Sequence, residues 1–478
     1  MTFQRDLVWQ QLDLLYSASV ARQFARYALA LKFSLIPKDV VHQAKRCVLD
    51  ALGCAIGAYE APGRPICEDT VQEIGGPKEA TIFCSGTRTS VMNAALVNSF
   101  LVRFLDYSDL GGGGHNSDAI SSILAIAERG KNNGRDFLTS TVISYELGER
   151  FRDSIGGSLE HKGWTSDIRA GLNQPPALGK LMGMSEEQIA NAIGICMSHA
   201  LPLGILDTDK EENVMAKNIR FGWAAHDAIL ACMLARRGFT GPMRIVESNA
   251  GIRKVILQDD MDLERLTDFS GWRIMDVRFK GLCANGTSHA PIYATMAIVK
   301  EQDLQPADIA SVHIKTTPRE ARHTTTGAKK YPRTAENADH STFYGNALAI
   351  KERAFGPDSI HPEKFTDPVV LDLIERITVE ADASLSKYQG VSEITTKDGR
   401  FFQKRIDVPH GLDTDPLTDK ELEDKFSDMA SKHMGNAQIR KIFDACWNLE
   451  KVADVGALVK LMVFPRKRVT AGVKRGKK

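Results

Sequence analysis

No Cys-x-x-Cys pair occurs in this chain, whose eight cysteines are scattered one by one. That excludes the ligand spacing of a zinc ribbon or iron–sulfur cluster and gives no disulfide framework, so a reducing compartment is implied. Several cysteines sit in apolar runs, such as Cys196 in Ile193-Gly194-Ile195-Cys196-Met197, where the residue acts as a small buried hydrophobe. An excess of charge is missing too. With 61 basic and 60 acidic side chains the formal charge is +1, which removes the electrostatic case for nucleic-acid or membrane partners. The local exception is the basic stretch from Arg466 to Lys478, read as a disordered solubilising tail, with a targeting or anion-binding tail as the alternative. No apolar run approaches the roughly twenty residues of a membrane span. The N-terminus shows no charged-then-apolar signal pattern, and Asp6 and Asp13 speak against a transit peptide. A soluble, cytoplasmic protein is expected.

What is present is an ordinary globular composition, 43% hydrophobic and 25% charged over 478 residues. That length suits two or three domains, or one large unit with an insertion. The first 270 or so residues read as helix after helix. Val40 to Leu52 has apolar residues at helical spacing and runs into Gly53-Cys54-Ala55-Ile56-Gly57-Ala58, whose small side chains let helices pack closely. Ser185-Glu186-Glu187-Gln188 is a capping-box start. Arg236-Arg237-Gly238 is a helix stop. Beyond residue 273 the character changes. Ile274 to Phe279 and Ile309 to Lys315 predict short strands, and Lys397-Asp398-Gly399-Arg400 predicts a hairpin turn before Phe401 to Val408. Helices are predicted at His289 to Lys300, at Ser341 to Lys351 and from Asp419 onward. The expected fold class is mainly α with an α+β domain. Residues 1–272 and 411–478 would form the helical part, and residues 273–410 a smaller insertion.

Chemistry concentrates in Asp106-Tyr107-Ser108-Asp109-Leu110, four glycines, and His115-Asn116-Ser117-Asp118. On one last turn of helix Asp106 and Asp109 would share a face. The glycines would then end the helix and let the backbone approach its neighbours. His115 suits proton exchange near neutral pH. Solvated carboxylates beside a surface loop are the plain alternative. A metal site is not expected, because a glycine run fixes ligands poorly and no second His or Cys stands nearby. The loop also lacks the Lys-Ser/Thr ending of a P-loop. Acids and a histidine gathered at a loop favour catalysis or binding.

Three further segments follow in order: Met215-Ala216-Lys217 with Gly222-Trp223-Ala224-Ala225 and Arg237 to Pro242; Phe279-Lys280-Gly281-Leu282-Cys283; and Thr334 to Tyr344. With Arg103 to Asp118 they resemble the MmgE/PrpD family, which includes 2-methylcitrate dehydratase and cis-aconitate decarboxylase. The resemblance implies a helical domain plus an α+β lid-like domain, a homodimer, a site between the domains, and polycarboxylate chemistry without a metal or organic cofactor. It implies Asp106 and His115 as the proton-transfer pair, with Lys217 and Lys280 as carboxylate clamps that stabilise an enolate-like intermediate. Taken as isolated residues, both lysines would be solvated. Arg220 suits a carboxylate through its guanidinium fork. His340 is a candidate for substrate contact or a structural hydrogen bond, and Trp164 for the pocket wall. Asp109 joins the substrate-binding group, chiefly as an orienting acid.

The sequence departs from the family in places. Asn116 stands where proline is usual and Leu110 where threonine is often seen. Asn285 lies where the decarboxylases carry a second active-site histidine, and Ala321-Arg322-His323-Thr324 has no tyrosine where they have one. These differences argue against a cis-aconitate decarboxylase more than against a dehydratase, and they leave room for a different substrate. The expectation is a hydro-lyase acting on 2-methylcitrate or a related hydroxy-tricarboxylate. A decarboxylase or epimerase of a cis-aconitate- or iminodisuccinate-like polycarboxylate is one alternative, and a non-catalytic polycarboxylate-binding protein is another.

Overall fold

The computed structural model describes residues 2–111, 114–157, 159–199, 201–208, 211–325 and 327–464. The basic tail and the middle two glycines of the Gly111–Gly114 run lie outside them. The protein is mainly α-helical with a small α+β portion. At its centre lies the helix Lys38–Gly57, with most of its side chains buried. Around it pack Val91–Arg103, Gly134–Asp153 and, from far along the chain, Asp419–Ala430. Small residues permit that last contact: a Cβ on Gly53 would lie 2.9 Å from the ring of Phe426. Among the described residues, no helix is long and apolar enough to cross a membrane.

The returning helix is also tied down by charge. It starts with a capping box from Thr418 and Glu421. Lys425 then reaches inward to Asp50 Oδ1 at 2.7 Å, the Tyr107 carbonyl at 2.6 Å and the Lys280 carbonyl at 3.0 Å. Removing one member of a buried ion pair strands the other. Lys425→Met is therefore expected to lower the unfolding free energy by about 3–5 kcal/mol in urea denaturation. A loss below about 1 kcal/mol, the range of an exposed pair, would show the tether to be dispensable.

The sheet has the strand order Ile377–Ala381, Ile309–Thr316, Gly390–Thr396, Phe401–Ile406. Its first pair is parallel and the others antiparallel. Asp398-Gly399 makes the hairpin turn, with Gly399 at φ 87°, a conformation that glycine adopts without strain. His289–Glu301 lies against the two hairpin strands and beside Thr342–Glu352. Ile274 to Phe279 is not one strand as its β-branched pattern suggested. It is a 3₁₀ turn, Arg273–Asp276, followed by the two-residue strand Arg278–Phe279. The turn forms where Glu146 accepts the Ile274 amide at 2.9 Å.

Candidate active site

The Val91–Arg103 helix stops before the acidic motif instead of carrying it. Asp106 has φ 45°, a left-handed conformation that aspartate tolerates better than most residues. Its carbonyl accepts from Lys280 Nζ at 2.7 Å, and the next carbonyl accepts from Lys425. Asp109–Leu110 then pairs antiparallel with Arg278–Phe279, which delivers Lys280 beside Asp106. Asp106 and Asp109 therefore do not share a helical face. Asp109 turns the other way, accepting from the Tyr145 hydroxyl at 2.5 Å and the Ser117 amide at 3.2 Å. Gly111 and Gly114 do not end the helix either; they allow close approach. A Cβ on Gly111 would fall 1.9 Å from Glu149 Oε1, and one on Gly114 2.9 Å from Arg169 Nη1.

Three groups meet at the end of this turn. His115 Nε2 lies 3.1 Å from Asp106 Oδ1, and Lys280 Nζ lies 3.0 Å from Asp106 Oδ2. His115 Nδ1 is 3.1 Å from the Ser108 hydroxyl. Burial alone would raise the Asp106 carboxyl, but Lys280, the His115 hydrogen bond and Lys217 hold it well below the usual carboxylate range. Burial, with Arg103 and Lys280 nearby, pushes His115 down to about 3. At neutral pH the pair thus holds a carboxylate and a neutral imidazole. An ionised carboxylate only accepts, so Nε2–H donates to Asp106 and Nδ1 accepts from Ser108. Burial also lowers Lys280, against the pull of Asp106.

Asp106, His115 and Lys280 open onto a cavity of about 400 Å³. Its walls include Arg103, Arg152, Arg220, Arg319 and Lys387 besides Lys280, so cations outnumber the acids Asp106, Asp207 and Glu320; His340 lines it too. Burial would lower the Arg220 guanidinium, but Asp167 and Asp207 keep it charged. Asp167 is a direct partner, and Asp207 Oδ2 lies 3.0 Å away. His340 Nδ1 contacts Asp339 at 2.5 Å and Lys217 Nζ at 3.2 Å. Burial and Lys217 lower His340 to about 4.

The structure thus gathers Asp106, His115, Lys280, Arg220 and His340 at one cavity. Lys217, Asp109 and Trp164 are not among the lining residues. Lys217 is fully buried behind His340, 3.3 Å from both Asp339 oxygens. Trp164 pairs instead with Leu203 in an isolated bridge. Sequence reading missed Arg152, Arg319, His323, Lys387 and Tyr388 as wall residues. Arg319 and His323 share the helix Pro318–Thr324, and Lys387 and Tyr388 are neighbours, but no motif in the sequence marks these positions.

The absence of a second histidine near the motif holds only along the chain. In space His340 comes within 4.8 Å of Asp106 and Asp339, and Asp207, His323 and His340 form a second such group. The carboxylates in both groups already face cations: Asp106 faces Lys280, Asp339 faces Lys217, and Asp207 faces Arg220. A divalent ion would be placed among those positive charges.

A model of the MmgE/PrpD N-terminal domain matches residues 22–264, and one of the MmgE/PrpD C-terminal domain matches residues 283–449. The chain is 22% identical to the cis-aconitate decarboxylase of Aspergillus terreus, over 96% of this chain and 99% of that protein. It is 24% identical to the cis-aconitate decarboxylase of Mus musculus, over 94% of each. To the 2-methylcitrate dehydratase of Escherichia coli K12 it is 24% identical, over 45% of this chain and 46% of that protein. Both names denote lyases.

Proposed function

The chain belongs to the MmgE/PrpD family, and from that premise we propose that it dehydrates 2-methylcitrate or a related hydroxy-tricarboxylate by acid–base elimination. The observation that carries this reading is the buried cluster of Asp106, His115 and Lys280 at the end of a cation-lined cavity. Before substrate arrives the pair holds one proton and has room for a second. A proton leaves the carbon beside a substrate carboxylate and goes to the pair, which becomes imidazolium beside carboxylate. The electrons of that C–H bond enter an enolate-like dianion, and the Lys280 ammonium stabilises its growing charge. The C–O bond then breaks as the pair returns its proton to the departing hydroxide, giving an alkene and water. An anionic substrate offsets the positive charge of Lys280 and Arg103, so binding raises the His115 pKa toward the working range. Arg220 and His340 contact the substrate. Lys217 acts from behind, holding His340 and Asp339 in place.

Decarboxylation of an unsaturated polycarboxylate is the second reading. It is favoured by the decarboxylases that align over nearly the whole chain. There a carbanion-like intermediate forms by loss of carbon dioxide in place of loss of a proton, and the pair, charged once substrate is bound, donates a proton to it. NMR of reactions with 2-methylcitrate, citrate, cis-aconitate and iminodisuccinate separates them. An alkene formed from a hydroxy acid with all carboxylates retained supports dehydration. Carbon dioxide released from cis-aconitate supports decarboxylation. Binding without turnover of any would leave a non-catalytic polycarboxylate-binding protein.

No cofactor is needed for this chemistry, and the cations crowding both His/Asp groups disfavour a divalent ion there. Activity is expected to survive prolonged EDTA treatment; loss on chelation with rescue by one added metal would overturn that. A cytoplasmic homodimer belongs to the same proposal. Exposed Leu7, Trp9, Leu12 and Leu15 on Thr2–Ser17, and Trp223 and Leu230 on Ala216–Arg236, are apolar surface that a second copy would cover. Light scattering at micromolar concentration is expected to give twice the chain mass, and a monomer would contradict it.

A further inference from the structure

The cations around the cavity are not equally engaged. Lys280 pairs with Asp106, Lys217 with Asp339, and Arg220 with Asp167 and Asp207. Arg169 bonds Asn116 and the His115 carbonyl. Arg103, buried like these four, differs from them. It closes the Val91–Arg103 helix, lines the cavity and has a side chain only 5% exposed. Yet its Nε and Nη1 have no hydrogen-bond acceptor among the described residues. The nearest acid is Asp118, whose Oδ2 stands 3.7 Å from Nη1, beyond hydrogen-bond reach. Neither Asp118 oxygen has a hydrogen-bond partner among the described residues.

A structural Arg–Asp pair would close to about 2.7–2.9 Å and share two hydrogen bonds. This one is held open. Burial pushes Asp118 up to about 7 in spite of Arg103, so the acid offers the guanidinium only part of a negative charge. A buried guanidinium with unused donors is costly unless something else accepts from them. The opening in front of it is the cavity that Asp106 and His115 share.

We propose that Arg103 receives one carboxylate of the ligand, with Asp118 as the positioning residue that holds the guanidinium from behind. This rests on the polycarboxylate reading above. Arg103 lies three residues before Asp106 at the rigid end of a helix, so a carboxylate gripped there sits at a fixed offset from the proton-transfer pair. Lysine would supply the charge but not the planar donor set.

Calorimetric titration with propane-1,2,3-tricarboxylate tests this, because that ligand has three carboxylates and no hydroxyl to eliminate. Arg103→Ala is expected to weaken its binding by about 10–100-fold, the loss of a charge-assisted hydrogen-bonded pair. Added methylguanidinium is expected to restore part of that affinity by filling the space left. Arg103→Lys, which keeps a cation beside buried Asp118, is expected to fold normally and bind between the two. Thermal unfolding of each variant identifies any that fails to fold, and Arg103→Lys then decides. Wild-type binding matched within about threefold by both variants would overturn the assignment of Arg103 and leave the polycarboxylate reading standing. Failure of the wild type itself to bind would overturn both.

Discussion

His115→Ala is expected to lower turnover by about 10²–10⁴-fold, the usual contribution of a general acid–base group. Substrate binding should change far less, because the carboxylates are held by cations elsewhere in the cavity. Circular dichroism should match wild type, since among the described residues the His115 side chain makes two polar contacts, with Asp106 and Ser108. Asp106→Asn is expected to resemble it kinetically, because an amide neither takes a proton nor stabilises imidazolium. Near wild-type turnover by His115→Ala on a confirmed substrate would remove the proton-transfer pair. The Gly111–Gly114 segment would then be only a close-packed connector.

Lys280→Ala should do more damage, in two ways. A carboxylate clamp acts in ground and transition states alike, so KM should rise and kcat fall together. The substitution also strands Asp106, which is 2% exposed, and a loss of about 3–5 kcal/mol in stability is expected. The pH dependence follows from the depressed Asp106 carboxyl. Its stabilising contribution is fully present above the unfolded value of about 4, and is lost as pH falls toward its lower folded value. The stability gap between wild type and Lys280→Ala should therefore be widest near neutrality and narrow in acid. Adding Asp106→Asn to Lys280→Ala removes the stranded charge. The double variant should regain stability while remaining inactive. A double variant that regained activity would show Lys280 to serve only in packing.

Local signals in the sequence mapped well onto the fold. The Ser185–Gln188 capping box opens Glu186–Met197, Asp398-Gly399 makes the hairpin turn, and the small residues of Gly53 to Ala58 meet Phe426 and Met429. What local pattern could not show was decided by distant groups. Phe104-Leu105 prolongs the apolar run after Arg103, so the helix reads on to Asp109. It stops because Lys280 and Lys425, 174 and 318 residues away, take the Asp106 and Tyr107 carbonyls. The same limit applies at the site. Asp106, His115, Lys280, Arg220 and His340 stand in recognisable motifs and meet at the cavity. Lys217 stands in one too, yet it faces Asp339 and His340 behind the wall. Arg103 was visible only as part of a motif. Its unused donors emerge once Asp118 is seen to stand off at 3.7 Å.

Removal of a carbon-bound proton by the Asp106–His115 pair is most directly tested by NMR of the protein with 2-methylcitrate in D₂O. Wild type is predicted to convert the hydroxy acid to an alkene retaining all three carboxylates, and His115→Ala is predicted to slow that conversion by about 10²-fold or more. Bound substrate that gives neither alkene nor deuterium at carbon, or an alkene formed equally fast by His115→Ala, would contradict it.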